Sequence, residues 1–148
     1  MINISLRVKN LINRHETRDP KRIAKDLNIH VRYLPYETTK GYFIKIKGNK
    51  FIIINSNLDE VTQTIVLAHE LGHALLHSNQ RNFLKYEKGI LLTQDDDLFN
   101  SNCMYENQAN KFAAELLLHS DLEFIGETID KTTYEMLLRI KPVSYTHL

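Results

Sequence analysis

The chain has 148 residues, of which 43% are hydrophobic and 25% charged, a composition typical of one soluble globular domain. No apolar stretch approaches the roughly 20 residues that a membrane-spanning helix needs, which excludes an integral membrane protein. The N-terminus lacks the apolar segment of a signal peptide, and the single Cys103 excludes an internal disulfide. We therefore expect a cytoplasmic protein.

The charge is unevenly distributed although its net value is only +1. Residues 1–50 hold 12 Lys or Arg and 4 Asp or Glu, whereas residues 51–148 hold 7 and 14. Such a separation can steer a charged partner, or the two halves can face each other in the fold. The charge pattern alone therefore does not establish nucleic-acid binding.

Two helices are predicted at the start of the chain. Apolar residues at positions 4, 8, 11 and 12 share one face of the first helix. Asp19 and Pro20 predict the N-cap and the first residue of a second helix, which ends near Asn28.

A small sheet of about three strands is predicted next. The β-prone stretches are residues 29–34, 42–47 and 50–55. Gly48-Asn49 is predicted to be the two-residue turn between the second and third strands.

A long central helix is predicted from a capping box at Asn57 to Glu60 as far as about Ser78. It is apolar on nearly every side, so we expect it to run through the core. Residues 79–103 are interpreted as a surface connection that can include a short turn or helix, and the acidic run at 95–97 as a solvated loop. Another helix is predicted over 104–118, with shorter helices as far as Lys141.

The central helix carries the motif His69-Glu70-Leu71-Gly72-His73. Residues four apart lie on one helix face, so both imidazoles can converge on one zinc ion. Glu70 lies off that stripe, where its carboxylate can act on a water molecule. Buried histidines and glutamates are costly unless they are satisfied, and a metal site would satisfy them. The motif therefore predicts a zinc-dependent hydrolytic site.

Glu106 is the candidate third ligand, because it shares the buried stripe of the later helix; a salt bridge or a helix cap is the alternative. Gly72 favours close approach of another segment, although ordinary helix packing explains it equally well. His77 lies about 12 Å along the helix from His69, too far to share one ion with it. We interpret His77 as structural or as a support for a ligand.

These residues make the sequence resemble the ImmA/IrrE family of zinc metallo-endopeptidases. The resemblance is carried by the stretches His69-Glu-Leu-Gly-His-Ala-Leu-Leu-His77 and Glu106-Asn-Gln-Ala-Asn-Lys-Phe-Ala-Ala-Glu-Leu-Leu117, with support from Thr17-Arg18-Asp19-Pro20 and Ile53-Ile54-Asn55-Ser56. It implies a zincin-like α+β fold, in which the small sheet packs on the central helix and several other helices. It also implies Zn²⁺ bound by His69, His73 and Glu106, with Glu70 as the general base.

For members on phages and mobile elements, the resemblance implies cleavage of a helix-turn-helix repressor encoded nearby. We therefore expect a protein substrate, no direct binding of nucleic acid and no membrane association. A zinc-binding regulatory or toxin-antitoxin-type partner without proteolysis remains open, because it would keep the same ligands. A DNA-binding module also remains open, because residues 22–29 resemble the first helix of a helix-turn-helix, but residues 30–35 are β-prone.

Residues 1–142 are predicted to form a single metallopeptidase domain that is truncated at its C-terminal end. Residues 143–148 are predicted to be a non-native tail. They coincide with one reading frame of a transposon-end adapter used in sequencing-library preparation, and they follow a helical pattern that stops at Pro142.

Overall fold

The computed structural model describes residues 2–79 and 96–118, with side chains in the latter from residue 104, and the backbone of strands at 123–124 and 127–128. The elements in chain order are α1 (Ile4–His15), α2 (Pro20–Asp26), β1 (His30–Leu34), β2 (Gly41–Ile46), β3 (Asn49–Asn55), α3 (Glu60–Leu76), α4 (Asp96–Leu117), β4 (Glu123–Phe124) and β5 (Glu127–Thr128). The α+β fold class is confirmed. The predicted shorter helices after residue 118 and the predicted tail at 143–148 lie outside the described residues.

The first two helices agree with their predicted patterns. Ile4 and Val8 of α1 are buried. The Asp19 side chain accepts a hydrogen bond from the backbone N–H of Lys21, which caps α2. Asn28 has a φ of +61°, a conformation that ends the helix. In the described part of the chain, no helix is both long and apolar enough to cross a bilayer.

The three-stranded sheet has the order β1-β3-β2, with β1 parallel and β2 antiparallel to β3. The central strand β3 buries Ile52 and Ile54 completely. The turn between β2 and β3 is Lys47-Gly48, so the predicted turn at Gly48-Asn49 is wrong by one residue. Both turn residues have positive φ, +51° and +84°, and the glycine takes the second position, as in type I′ turns.

The central helix α3 begins later than the capping-box pattern predicts. Its N-cap is Asp59, whose Oδ1 accepts a 2.7 Å hydrogen bond from the backbone N–H of Thr62. Asn57 instead donates from its side chain to the carbonyl of Tyr36, so it belongs to the preceding loop. The predicted cap at Asn57 is therefore wrong, because tertiary contacts of that loop use its side chain.

The helix α4 begins at Asp96, eight residues before the predicted start. The interpretation of Asp96 and Asp97 as loop residues is wrong, since both are helical.

Helix α3 lies in the interior between the sheet and α4. The fully buried side chains include Phe43 of β2, Leu71 of α3 and Phe112 of α4. Helices α3 and α4 pack along each other, and α3 also contacts β2 and β3. The two segments that carry the candidate metal ligands are therefore joined by the hydrophobic core.

Arg18 ties the start of the chain to the end of α4. Its Nη1 donates to the carbonyl oxygens of Glu115 and Leu116 at 3.0 Å, and to that of Leu118 at 3.3 Å. The last carbonyls of a helix have no partner within the helix and carry its negative dipole end. The guanidinium therefore caps α4 and fixes it against the loop between α1 and α2.

Candidate metal centre

Three predicted ligands come together between α3 and α4. Nε2 of His69 lies 2.9 Å from Oε1 of Glu106, and Nε2 of His73 lies 3.2 Å from its Oε2. One ligand atom from each residue lies within 4.8 Å of the others. His69 and His73 are buried, and Glu106 is partly buried. The helical spacing of the two histidines and the packing of α4 on α3 thus build one compact donor set.

This donor set fits a zinc ion. Donor atoms of a tetrahedral site with bonds of about 2.0 to 2.1 Å are about 3.3 Å apart. Each carboxylate oxygen of Glu106 lies at a similar distance from one imidazole nitrogen, 2.9 Å for His69 and 3.2 Å for His73. Two imidazole nitrogens and a carboxylate are also the ligand chemistry of catalytic zinc sites. Oε2 of Glu106 is buried, and within the described residues no contact to it has hydrogen-bond geometry. A cation would satisfy it.

Glu106 and the two histidines shift one another's pKa values. Burial opposes ionisation of Glu106, but His73 and His69 hold its pKa well below the usual range. Burial also lowers the pKa of His69, but the hydrogen bond and charge of Glu106 outweigh it and raise that pKa. For His73, burial dominates and lowers the pKa. A negative carboxylate thus faces two imidazoles, which favours a cation between them.

Glu70 lies inside the same helix and is fully buried. Its negative charge helps to raise the pKa of the neighbouring His69. A buried carboxylate beside a metal-ligand set has the chemistry of a general base.

Sequence reasoning did not find two side chains beside the histidines. Nε2 of His77 lies 2.7 Å from Oε1 of Gln108, and its Nδ1 lies 2.9 Å from Nδ1 of His73. Burial and the neighbouring His73 lower the pKa of His77 to about 4. Asn110, one turn after Glu106 on α4, also helps to raise the pKa of His69. Asn110 could have been found from the sequence, because it lies four residues after Glu106 on the same helix face. Gln108 lies two residues after Glu106, off that face, and the sequence gives no signal for it.

Gly72 lies at a close contact between α3 and α4. A Cβ added to it would lie 3.1 to 3.2 Å from Cδ1, Cβ and Cγ of Phe112. Another segment, α4, does approach Gly72 closely, and the contact is one of helix packing, so both interpretations of Gly72 agree with it. Because Gly72 precedes His73 and Phe112 follows Glu106 by less than two turns, this contact sets the spacing of the ligands.

Replacing Gly72 by Val should lower the free energy of unfolding by about 1 to 3 kcal/mol, since the larger side chain displaces Phe112. It should also weaken zinc binding, because α4 carries Glu106. Gly72→Ala is the control: its better helix propensity, about 1 kcal/mol, offsets its smaller clash. Urea unfolding of the metal-free proteins and zinc titration measure both effects. A Gly72→Val protein as stable as wild type would contradict this account of the interface.

The structure also bears on the DNA-binding interpretation. The residues that would form a recognition helix after α2 form strand β1, which pairs in parallel with β3 from His30 to Leu34. Helix α2 is therefore not followed by a recognition helix, and the interpretation of residues 22–29 as part of a helix-turn-helix is wrong.

Comparison with known proteins gives two findings. A family model of peptidases, described as the IrrE N-terminal-like domain, matches residues 24–123. The "Uncharacterized immunity region protein 2" of Bacillus phage phi105 is 36% identical over 118 residues, which cover 78% of this chain and 68% of the phage protein. The family match includes α3, the whole of α4 and therefore all three candidate ligands.

Proposed function

We propose that this chain, which belongs to the ImmA/IrrE family, is a zinc-dependent endopeptidase that cleaves a helix-turn-helix repressor encoded near its own gene. Its domain is of the metallopeptidase type. The observation that carries the proposal is the approach of His69, His73 and Glu106, with Glu70 on the same buried helix as the histidines.

His69, His73 and Glu106 would hold the zinc ion, which leaves a fourth position open. A bound zinc ion supplies Lewis acidity for the activation of water and of the scissile carbonyl. Glu70 accepts the proton of the attacking water and then delivers it to the amine that leaves. Burial of Glu70 keeps this proton transfer away from bulk solvent.

The edge of strand β2 is suited to hold the substrate. In the described sheet β2 is an edge strand, and it is the edge that contacts α3. Its first residue, Gly41, packs so closely on Val66 that an added Cβ would lie 2.7 Å from Cγ1. Near its other end, Lys45 hydrogen-bonds Asn79. The strand thus runs alongside the motif helix, and a peptide added to its edge would pass the metal ligands.

A basic groove at the other edge of the sheet suits a docking role. It has a volume of about 530 Å³ and lies between α2 and β1. Its charged lining residues are Lys21, Lys25, Arg32, Arg22, which is paired with Asp26, and one acidic residue, Asp19. This concentration of cations would attract an acidic surface of the substrate and increase the rate of association. Recognition at a second surface restricts a small open peptidase to one partner.

The repressor is proposed as substrate because the phage relative is named as an immunity region protein. We expect purified repressor to be cleaved by the zinc-loaded protein and to remain intact after chelation. An unrelated unfolded protein serves as the control substrate. Degradation of that control while the repressor stays intact would contradict the specific-partner proposal. An intact repressor that still binds the zinc-loaded protein would favour the non-proteolytic regulatory role.

Salt and charge reversal test the groove in the same assay. Cleavage should slow as ionic strength rises, because screening shortens the range of the attraction. Lys25→Glu should slow cleavage at low salt more than Lys9→Glu, which makes the same charge change on α1, outside the groove. Equal effects of the two variants would assign the salt dependence to net charge and would exclude the groove as the docking surface.

A further inference from the structure

Three side chains form a hydrogen-bonded row that leads away from the candidate metal position. Nδ1 of His73 lies 2.9 Å from Nδ1 of His77, and Nε2 of His77 lies 2.7 Å from Oε1 of Gln108. Both histidines are fully buried, and Gln108 is partly buried. The two ring nitrogens of His73 therefore have different neighbours: Nε2 faces Glu106, and Nδ1 faces His77.

The amide oxygen of Gln108, at the end of the row, determines which atom donates in each of the two hydrogen bonds. The amide oxygen of Gln108 can only accept, so Nε2 of His77 must donate to it. A neutral imidazole carries one N–H, which leaves Nδ1 of His77 as an acceptor. Nδ1 of His73 must then donate to His77. The other nitrogen of His73, Nε2, is left with the lone pair that a metal ligand requires.

We propose that His77 is a positioning residue that, together with Gln108, holds His73 in the tautomer and ring orientation that bind zinc through Nε2. The inference rests on the proposed metal site and assigns a role to two side chains outside the donor set. Partners of this kind orient a ligating histidine, and their loss typically weakens metal binding by about 10 to 100-fold.

A simpler role for His77 is packing alone. Its ring lies 4.7 Å from the ring of Tyr105, measured between centroids, and fills part of the core beside α4. Packing depends on the shape of the side chain, whereas positioning depends on the acceptor at Nδ1. The two roles therefore separate in two variants that match each other in shape and differ in the acceptor.

His77→Asn and His77→Leu are such a matched pair. Asn places Oδ1 on the side-chain branch that carries Nδ1 in histidine, so it can still accept from His73, whereas Leu has the same branching at Cγ and no acceptor. Zinc affinity is measured by competition with a chromophoric chelator. We expect it to fall by about 10 to 100-fold in His77→Leu. The fall in His77→Asn should be about ten times smaller than the fall in His77→Leu. Thermal unfolding of the metal-free variants reports their packing separately.

Substitutions of Gln108 provide a second pair of variants, in which His77 is unchanged. Gln108→Glu keeps an acceptor oxygen and should bind zinc at least as tightly as wild type, while Gln108→Leu should bind more weakly. In zinc-loaded wild type, ¹⁵N spectra of labelled histidine should place the proton of His73 on Nδ1 and that of His77 on Nε2. These measurements also decide the matter if His77→Leu does not fold.

Equal zinc affinities of the two His77 variants, or of the two Gln108 variants, would overturn the positioning role. So would a zinc-loaded protein in which His73 carries its proton on Nε2. Failure of the wild-type protein to bind zinc would instead overturn the proposed metal site, and the positioning role with it. Binding without proteolysis would leave the positioning role standing, because its readout is metal affinity.

Discussion

Replacing Glu70 by Gln is expected to reduce peptide cleavage by about 10² to 10⁴-fold, the usual contribution of a general base, while leaving the fold and the metal in place. The amide fits the same buried position but cannot accept a proton from water. Initial rates of repressor cleavage measure the loss, and zinc content of the purified protein shows that the site is still loaded.

The control for this variant is Glu60→Gln, the same chemical change in the exposed first turn of α3. It should cleave at the wild-type rate. Unchanged turnover in Glu70→Gln would remove Glu70 from the mechanism. Loss of zinc from that variant would show that its carboxylate supports the metal site.

Removal of the third ligand should have the largest effect on the metal. We expect Glu106→Ala to weaken zinc binding by more than about 100-fold, because loss of a ligand exceeds the typical cost of losing a residue that only orients one. The substitution also removes the carboxylate that faces both imidazoles. Competition titration with a chelator gives the affinity, and elemental analysis should give one zinc per wild-type chain.

Glu115→Ala is the matched control on α4. Its carboxylate faces solvent beside Lys111, and only its backbone carbonyl takes part in the cap made by Arg18. Zinc affinity should therefore remain at the wild-type value. A Glu106→Ala protein that binds zinc as tightly as wild type would show that another residue supplies the third ligand.

The parts of this structure that depend on local spacing could be predicted from the sequence. The helical face of α1, the cap of α2 and the i, i+4 pair of histidines all follow from regular helix geometry. Glu106 was found because it shares a stripe with buried Ala109 and Ala113. Such patterns repeat within a few residues and need no knowledge of the tertiary fold.

The parts that sequence reasoning missed depend on contacts between distant segments. Asn57 and Asp59 are both suitable N-cap residues for α3. Asp59 is the cap because the side chain of Asn57 hydrogen-bonds the carbonyl of Tyr36 in the preceding loop. The parallel pairing of β1 with β3 leaves no local signal. The same holds for Gln108, which meets His77 only because α4 packs on α3.

The cap made by Arg18 has a consequence for the order in which the protein is assembled. Its hydrogen bonds join residues 97 to 100 positions apart, and Glu106 meets His69 across 37 positions. A ribosome releases the N-terminal segments first, and contacts between distant segments form late. A nascent chain that has exposed only the motif helix holds two of the three proposed ligands. The proposed site would therefore be complete only after α4 has docked, and the proposed peptidase would stay inert until its own synthesis has passed that helix.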